Sequence, residues 1–73
     1  EKRSIVKRLI SDLKKRFNIS VIENDFQDSK QYINLAISFV SINKSSAYKT
    51  MENLENYIES LYNVESVIKE VYD

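Results

Sequence analysis

The stretch Gln31–Ile42, which reads QYINLAISFVSI, decides the fold of this chain. Its large apolar side chains fall on odd-numbered positions, and smaller or polar residues fill most of the positions between them. An alternation with a period of two is typical of a strand with one buried face, whereas a helix would scatter these side chains around its axis. We therefore predict that Gln31–Ile42 is the longest strand of a small sheet. The residues of its buried face are Ile33, Leu35, Ile37 and Phe39.

Two elements are predicted before this strand. Glu1–Phe17 is an amphipathic helix, because its apolar residues recur at helical spacing along one wide stripe. Asn18–Asn24 is short and rich in β-branched residues, which favours a strand. The polar segment Asp25–Lys30 then joins the two strands as a hairpin, with Asn and Asp in place of the missing Gly and Pro. The helix stripe consists of Ile5, Val6, Leu9, Ile10, Leu13 and Phe17.

A second helix follows the central strand. A polar break at Asn43–Ser46 offers Asn43, Ser45 or Ser46 as its N-cap. Val64–Asp73 is compatible with two structures, because its apolar residues match helical spacing while its Val, Ile and Tyr content favours a strand. The apolar stripe of the second helix is Ala47, Met51, Leu54, Ile58 and Leu61.

The composition excludes several classes of chemistry. A chain of 73 residues is one domain at most. It contains no His and no Cys, which removes the usual catalytic base, nucleophile and zinc ligands. It contains no Gly, which phosphate-cradling loops require. We therefore predict that the protein is not an enzyme and binds no cofactor, and the sequence identifies no small-molecule substrate. We also predict that the protein spans no membrane and resides in the cytoplasm.

The charge is unevenly distributed although the net charge is zero. Residues 1–16 hold seven cations and two acids, which gives +5, and the remainder holds four cations and nine acids, which gives −5. Five cations project from the first helix, opposite its apolar stripe. They either form a solvated face or bind a phosphate backbone, such as that of RNA. These candidate nucleic-acid-binding residues are Arg3, Lys7, Arg8, Lys14 and Lys15.

Two further clusters have ordinary structural interpretations. Glu23, Asp25 and Asp28 surround the hairpin loop, where we expect turn and capping roles, although carboxylates are also ligands for hard cations. We predict no metal site, because the spacing is not that of a calcium loop. Four tyrosines are expected at the edges of the core, with a partner interface as the alternative. They are Tyr48, Tyr57, Tyr62 and Tyr72.

Three short motifs resemble the YlxP-like family of small bacterial proteins. They are Glu1–Ser4 (EKRS), Phe17–Glu23 (FNISVIE) and Asp25–Asp28 (DFQD) followed by Gln31. The chain departs from the family at Lys30, where the family often has Trp, and at Ala36, where it often has Gly. The resemblance implies a ferredoxin-like fold in which Val64–Asp73 is a strand. It also implies that about twenty residues, including a first strand, precede Glu1.

These observations together predict an α+β, ferredoxin-like (split βαβ) domain over residues 1–73. Its order as given is αββαβ, with an antiparallel sheet, two helices on one face and the first strand absent. The family has no settled activity, and its genes often neighbour those for translation initiation and ribosome maturation. We therefore expect a binding module that contacts RNA or a ribosomal component through the basic helix. The alternative is a domain that forms a homodimer through a sheet edge or face.

Overall fold

The computed structural model contains two helices and two strands, in the order α1, β1, β2, α2. The α+β class is therefore confirmed. The bounds are Lys2–Arg16 for α1, Ser20–Asp25 for β1, Asn34–Ser38 for β2 and Lys44–Leu61 for α2.

The structure describes residues 2–26 and 28–72. The predicted start of the first helix at Glu1, the loop position Gln27 and the predicted strand end at Asp73 lie outside these residues. The chain divides into two compact units. Glu1–Phe39 holds α1 and both strands, and Val40–Asp73 holds α2. A single domain over residues 1–73 stays a prediction.

The apolar stripe of α1 forms the core of the first unit. Val6, Leu9 and Leu13 are buried, and Leu13 is completely excluded from solvent. These residues lie three and four positions apart, so they stack on one side of the helix and pack towards β1. The predicted stripe is wider than the buried one, because Ile10 and Phe17 are only half-buried and Ile5 is exposed.

β1 and β2 pair as an antiparallel hairpin. Val21 lies opposite Ile37 and Glu23 lies opposite Leu35, so these four side chains share one face. α1 covers this face, since Val21 is buried whereas its neighbour Ile22 is 61% exposed. A shift of register between Glu23 and Asp25 then bends the end of β1.

β2 is shorter than the predicted strand Gln31–Ile42. On the N-terminal side, the backbone N–H groups of Gln31 and Tyr32 bind the Ser29 side chain rather than a neighbouring strand. On the C-terminal side, pairing stops at Ser38 because its partner Ser20 is the first residue of β1. Leu35 and Ile37 lie on the face that α1 covers, as the register with Val21 shows. The predicted burial of this face is wrong in degree, because Ile33, Leu35, Ile37 and Phe39 are all half-buried, as are Asn34 and Ala36 between them.

α2 forms the second unit and begins at a predicted cap. The side chain of Asn43 accepts a hydrogen bond from the backbone N–H of Ser46, with 2.8 Å between nitrogen and oxygen. Ala47 and Leu54 are buried along the predicted stripe, whereas Leu61 is 51% exposed. Neither described helix is long and apolar enough to cross a membrane.

The predicted strand Val64–Asp73 is wrong for the part of the segment that the structure describes, residues 64–72. These residues form neither a strand nor a continuation of α2, which ends where Tyr62 adopts an extended conformation. A strand requires a neighbouring strand to satisfy its backbone groups, and the described sheet contains only β1 and β2. The segment also leaves Ile68 and Tyr72 strongly exposed, so burial does not impose a regular structure on it.

One ion pair ties this segment to α2. The Lys69 ammonium lies 2.6 Å from a carboxylate oxygen of Glu55. The hydrogen bond from Lys69 to Glu55 raises the pKa of the ammonium above its ordinary value of 10.5, and the charges of Glu55, Glu52 and Glu59 act in the same direction.

We predict that Glu55→Gln lowers the pKa of Lys69 towards its ordinary value, because the substitution removes the main partner of the ammonium. Since the pKa is raised in the folded state, this pair stabilises the fold fully below about pH 10.5 and loses its effect as pH rises through the folded-state pKa. NMR titration of the Lys69 side chain measures the change. Glu65→Gln is the control, and an identical titration in both variants would contradict the pairing.

Candidate nucleic-acid interface

The five predicted cations all lie on the exposed side of α1. Arg3, Lys7 and Lys14 form one row along the helix, since residues four and seven positions apart lie one above the other. Arg8 and Lys15 form a second, neighbouring row. At 1.5 Å per residue, the two rows extend over about 18 Å of the helix axis. We call the five residues the basic face.

The basic face is not neutralised within the part of the chain that the structure describes. None of its five side chains forms an ion pair there. The acidic residue of α1 nearest to it, Asp12, binds Arg16 instead, with 3.1 Å between Oδ1 and Nε. The face therefore presents five cations to solvent and has the capacity to bind an anionic surface.

The effect of a cation on the stability of α1 depends on which end of the helix it occupies. Lys14, Lys15 and Arg16 occupy the last turn, where positive charge complements the carbonyl end of the helix dipole. Lys2 and Arg3 lie at the opposite end, and the first turn contains no acidic residue. A cation there destabilises the helix by about 0.3–1 kcal/mol. A contact with an anionic group outside the helix would offset this cost.

Lys2 has such contacts within the chain. Its ammonium lies 3.3 Å from a carboxylate oxygen of Glu23 in β1. It also donates a hydrogen bond to the backbone carbonyl of Phe26. Only 15% of the Lys2 side chain and 22% of the Glu23 side chain are exposed. Lys2 thus joins the start of α1 to the end of β1.

The hairpin loop beyond β1 is held by several hydrogen bonds. The Asp25 carboxylate accepts from the backbone N–H of Phe26 at 2.8 Å, and the Phe26 carbonyl accepts from the N–H of Ser29 at 3.0 Å. The Ser29 hydroxyl accepts from the N–H groups of Gln31 and Tyr32, each at 3.1 Å. These bonds fix the loop at both ends.

Phe26 has a backbone φ of 61°, in the left-handed region that favours glycine. An aromatic residue in that region costs of order 1–3 kcal/mol, which the surrounding hydrogen bonds must offset. Such strain often marks a functional position.

The loop brings two aromatic rings together. The ring centroids of Phe26 and Tyr32 are 5.9 Å apart, and the ring planes are tilted by 47°. The side chains are 46% and 47% exposed, so both rings are accessible from solvent. The predicted strand Gln31–Ile42 includes Tyr32, but Tyr32 lies before β2 and contacts Phe26, a pairing that was not predicted. The available signal was a pair of aromatic residues on either side of a short polar segment.

The acidic residues around the loop have structural roles. Asp25 accepts a hydrogen bond from the backbone N–H of Phe26, which confirms a turn role for this residue. Glu23 instead forms an ion pair with Lys2, which is neither a turn nor a capping role. Asp28 is exposed. Within residues 2–26 and 28–72, no group of three or more acidic residues is arranged to hold a metal ion.

We predict that Lys2→Met lowers the free energy of unfolding by about 1–2 kcal/mol, a value between those of exposed and buried ion pairs. The substitution removes the contacts with Glu23 and Phe26 but keeps the length of the side chain. Lys7→Met is the matched control, because Lys7 is exposed in the middle of α1, and we expect it to change stability by less than about 0.5 kcal/mol. Urea denaturation measures both variants, and equal effects would contradict a specific role for Lys2.

Comparisons with known proteins place the chain in a family. A family model described as "Protein of unknown function (DUF503)" matches residues 1–71. The uncharacterized protein YlxP of Bacillus subtilis (strain 168) is 29% identical over 68 residues, which cover 93% of this chain and 74% of that protein. No solved structure matches the chain. The family match spans nearly the whole sequence, confirms the resemblance to YlxP and shows that the chain belongs to the DUF503 family.

Proposed function

We propose that this protein is a non-enzymatic, cytoplasmic module that binds RNA, free or in the ribosome, through the basic face of α1. The observation that carries the proposal is the set of five exposed cations, none with an ionic partner in the part of the chain that the structure describes. A phosphate backbone supplies a regular series of negative charges that such a face can bind. The ferredoxin-like arrangement of the domain is part of this proposal.

The geometry supports binding along the helix rather than on the sheet. The sheet face opposite α1 carries Ser20, Ile22, Ala36 and Ser38, as the strand register shows. Ferredoxin-like domains that bind RNA through the sheet stack bases on aromatic side chains there. None of these four residues is aromatic, whereas α1 presents two rows of cations. We therefore place the RNA backbone on the helix.

Arg3 supports this placement further. It lies at the end of α1 where a cation is unfavourable, and it has no ionic partner among the described residues. A phosphate at this position would contact Arg3 and the positive end of the helix dipole together. The bound phosphate would thus offset the repulsion between the Arg3 guanidinium and the positive end of the helix dipole.

We predict that Lys7→Glu/Lys14→Glu weakens binding to a single-stranded RNA oligonucleotide far more than Lys44→Glu/Lys49→Glu, which alters two exposed lysines of α2. Both double variants change the net charge by the same amount, but only the first alters the basic face. With five phosphate contacts, a plot of the logarithm of the association constant against the logarithm of the salt concentration has a slope of about −3.5. The affinity therefore falls about 100-fold between 50 and 200 mM salt. The first variant is expected to reduce the slope to about −2.

Fluorescence anisotropy with a labelled oligonucleotide measures these affinities. An affinity independent of salt would contradict the proposal. Equal weakening by the two double variants would also contradict it, because a general charge effect would then explain the binding.

A second candidate function is self-association through the sheet. Two observations favour it: in the described part of the chain β2 pairs along one edge only, and Ile22 is 61% exposed on the uncovered face. The unpaired backbone N–H and C=O groups of an open strand edge can pair with the same edge of a second copy of the chain.

We predict for this candidate that sedimentation equilibrium at micromolar concentration gives twice the mass of one chain, and that Ile22→Lys restores the monomer. The control is Tyr48→Lys, which places the same charge at another exposed position. A monomer in the unmodified protein would exclude self-association and leave the RNA proposal intact.

A further inference from the structure

The hairpin loop presents a second surface, distinct from the basic face. Phe26 and Tyr32 contact each other through part of their rings and leave about half of each side chain exposed. Buried aromatic residues usually stabilise a core, but these two lie in a loop beyond the strand pairs. Exposed aromatic rings in a polar loop offer flat apolar faces to a ligand.

Hydrogen bonds hold the backbone that carries the two rings. Phe26 has a φ of 61°, and its carbonyl accepts hydrogen bonds from both Ser29 and Lys2. The Ser29 hydroxyl in turn binds the backbone of Tyr32. A conformation that is unfavourable for an aromatic residue is thus maintained by several contacts, which is the pattern of a preorganised binding position.

Lys2 connects this loop to the start of the basic face. Its ammonium contacts the Phe26 carbonyl, and the next residue in the chain is Arg3, the first cation of the face. The backbone of Phe26 is therefore tied to the first turn of α1. A polyanion that follows the helix would reach the loop at this end.

We propose that Phe26 and Tyr32 stack with unpaired nucleobases of a single-stranded RNA whose phosphates lie on the basic face, an inference that rests on the proposed function. Bases stack on aromatic side chains only when they are free of a duplex, in which their faces are covered. In this proposal the loop favours single-stranded over duplex RNA. The basic face of α1 attracts the phosphates of RNA of any sequence.

The test compares a single-stranded 12-nucleotide RNA with a 12-base-pair RNA duplex, using the full chain at the same salt concentration. The variant is Phe26→Gly/Tyr32→Ala. Glycine adopts a φ of 61° without strain, so the loop conformation is retained when the ring is removed. Tyr32→Phe is the matched control, because it keeps the ring, and thermal unfolding verifies that each variant is folded.

We expect the double variant to bind the single strand about 10- to 100-fold more weakly, and the duplex within about 2-fold of the unmodified protein, because each stacked base contributes substantially to single-strand affinity. Tyr32→Phe should retain the single-strand affinity. An unchanged single-strand affinity in the double variant, or equal weakening for both RNAs, would overturn the stacking inference while leaving the basic face as the binding site. Failure of the unmodified protein to bind either RNA at low salt would overturn the proposed function itself.

Discussion

The packing of α1 against β1 is the constraint on which the rest of the first unit depends. Val6, Leu9 and Leu13 are buried on one side of the helix, and Val21 is buried on the facing side of the hairpin. Burial of each large apolar side chain contributes about 1.5–3 kcal/mol, and burial of an unpaired lysine would cost several. Both effects favour the same rotation of the helix about its axis. The cations on the opposite side are therefore held in solvent by the core itself.

The ends of α1 differ in how their charges are balanced. At the C-terminal end the helix dipole stabilises the cations, and Asp12 binds Arg16. At the N-terminal end the dipole opposes them, and Lys2 is balanced by Glu23 and by the carbonyl of Phe26. The contact of Lys2 thus links three features of the molecule: the helix start, the end of β1 and the strained loop. Arg3, at the same end of α1, has no ionic partner among the described residues.

Patterns that depend on neighbours in sequence were predictable. The helical spacing of Val6, Leu9 and Leu13 predicted α1, whose last residue, Arg16, lies one position before the predicted end. The polar break before Ala47 predicted three candidate caps, of which Asn43 is the one used. The alternation around Leu35 and Ile37 predicted a strand and the face that α1 covers, although both side chains are only half-buried. All five cations of the basic face were predicted from the same helical periodicity, because a residue opposite an apolar stripe faces solvent.

Features that depend on distant partners were not predictable. The length of β2 is limited by Ser20, where its partner strand begins, and alternation alone carries no information about that limit. Val64–Asp73 has the composition of a strand, but composition does not provide the neighbour that a strand requires. The contacts of Lys2 with Glu23 and of Phe26 with Tyr32 depend on the hairpin's bend and on a positive φ, which no local pattern of residue types specifies.

NMR titration of the isotopically labelled full chain with a single-stranded RNA oligonucleotide tests directly whether α1 is the RNA-binding surface. Binding through the basic face predicts chemical-shift changes along the exposed side of α1, at Arg3, Lys7 and Lys14, continuing to Phe26 and Tyr32, with α2 unchanged. Shifts confined to the uncovered sheet face at Ile22 and Ala36, or to α2, would contradict it.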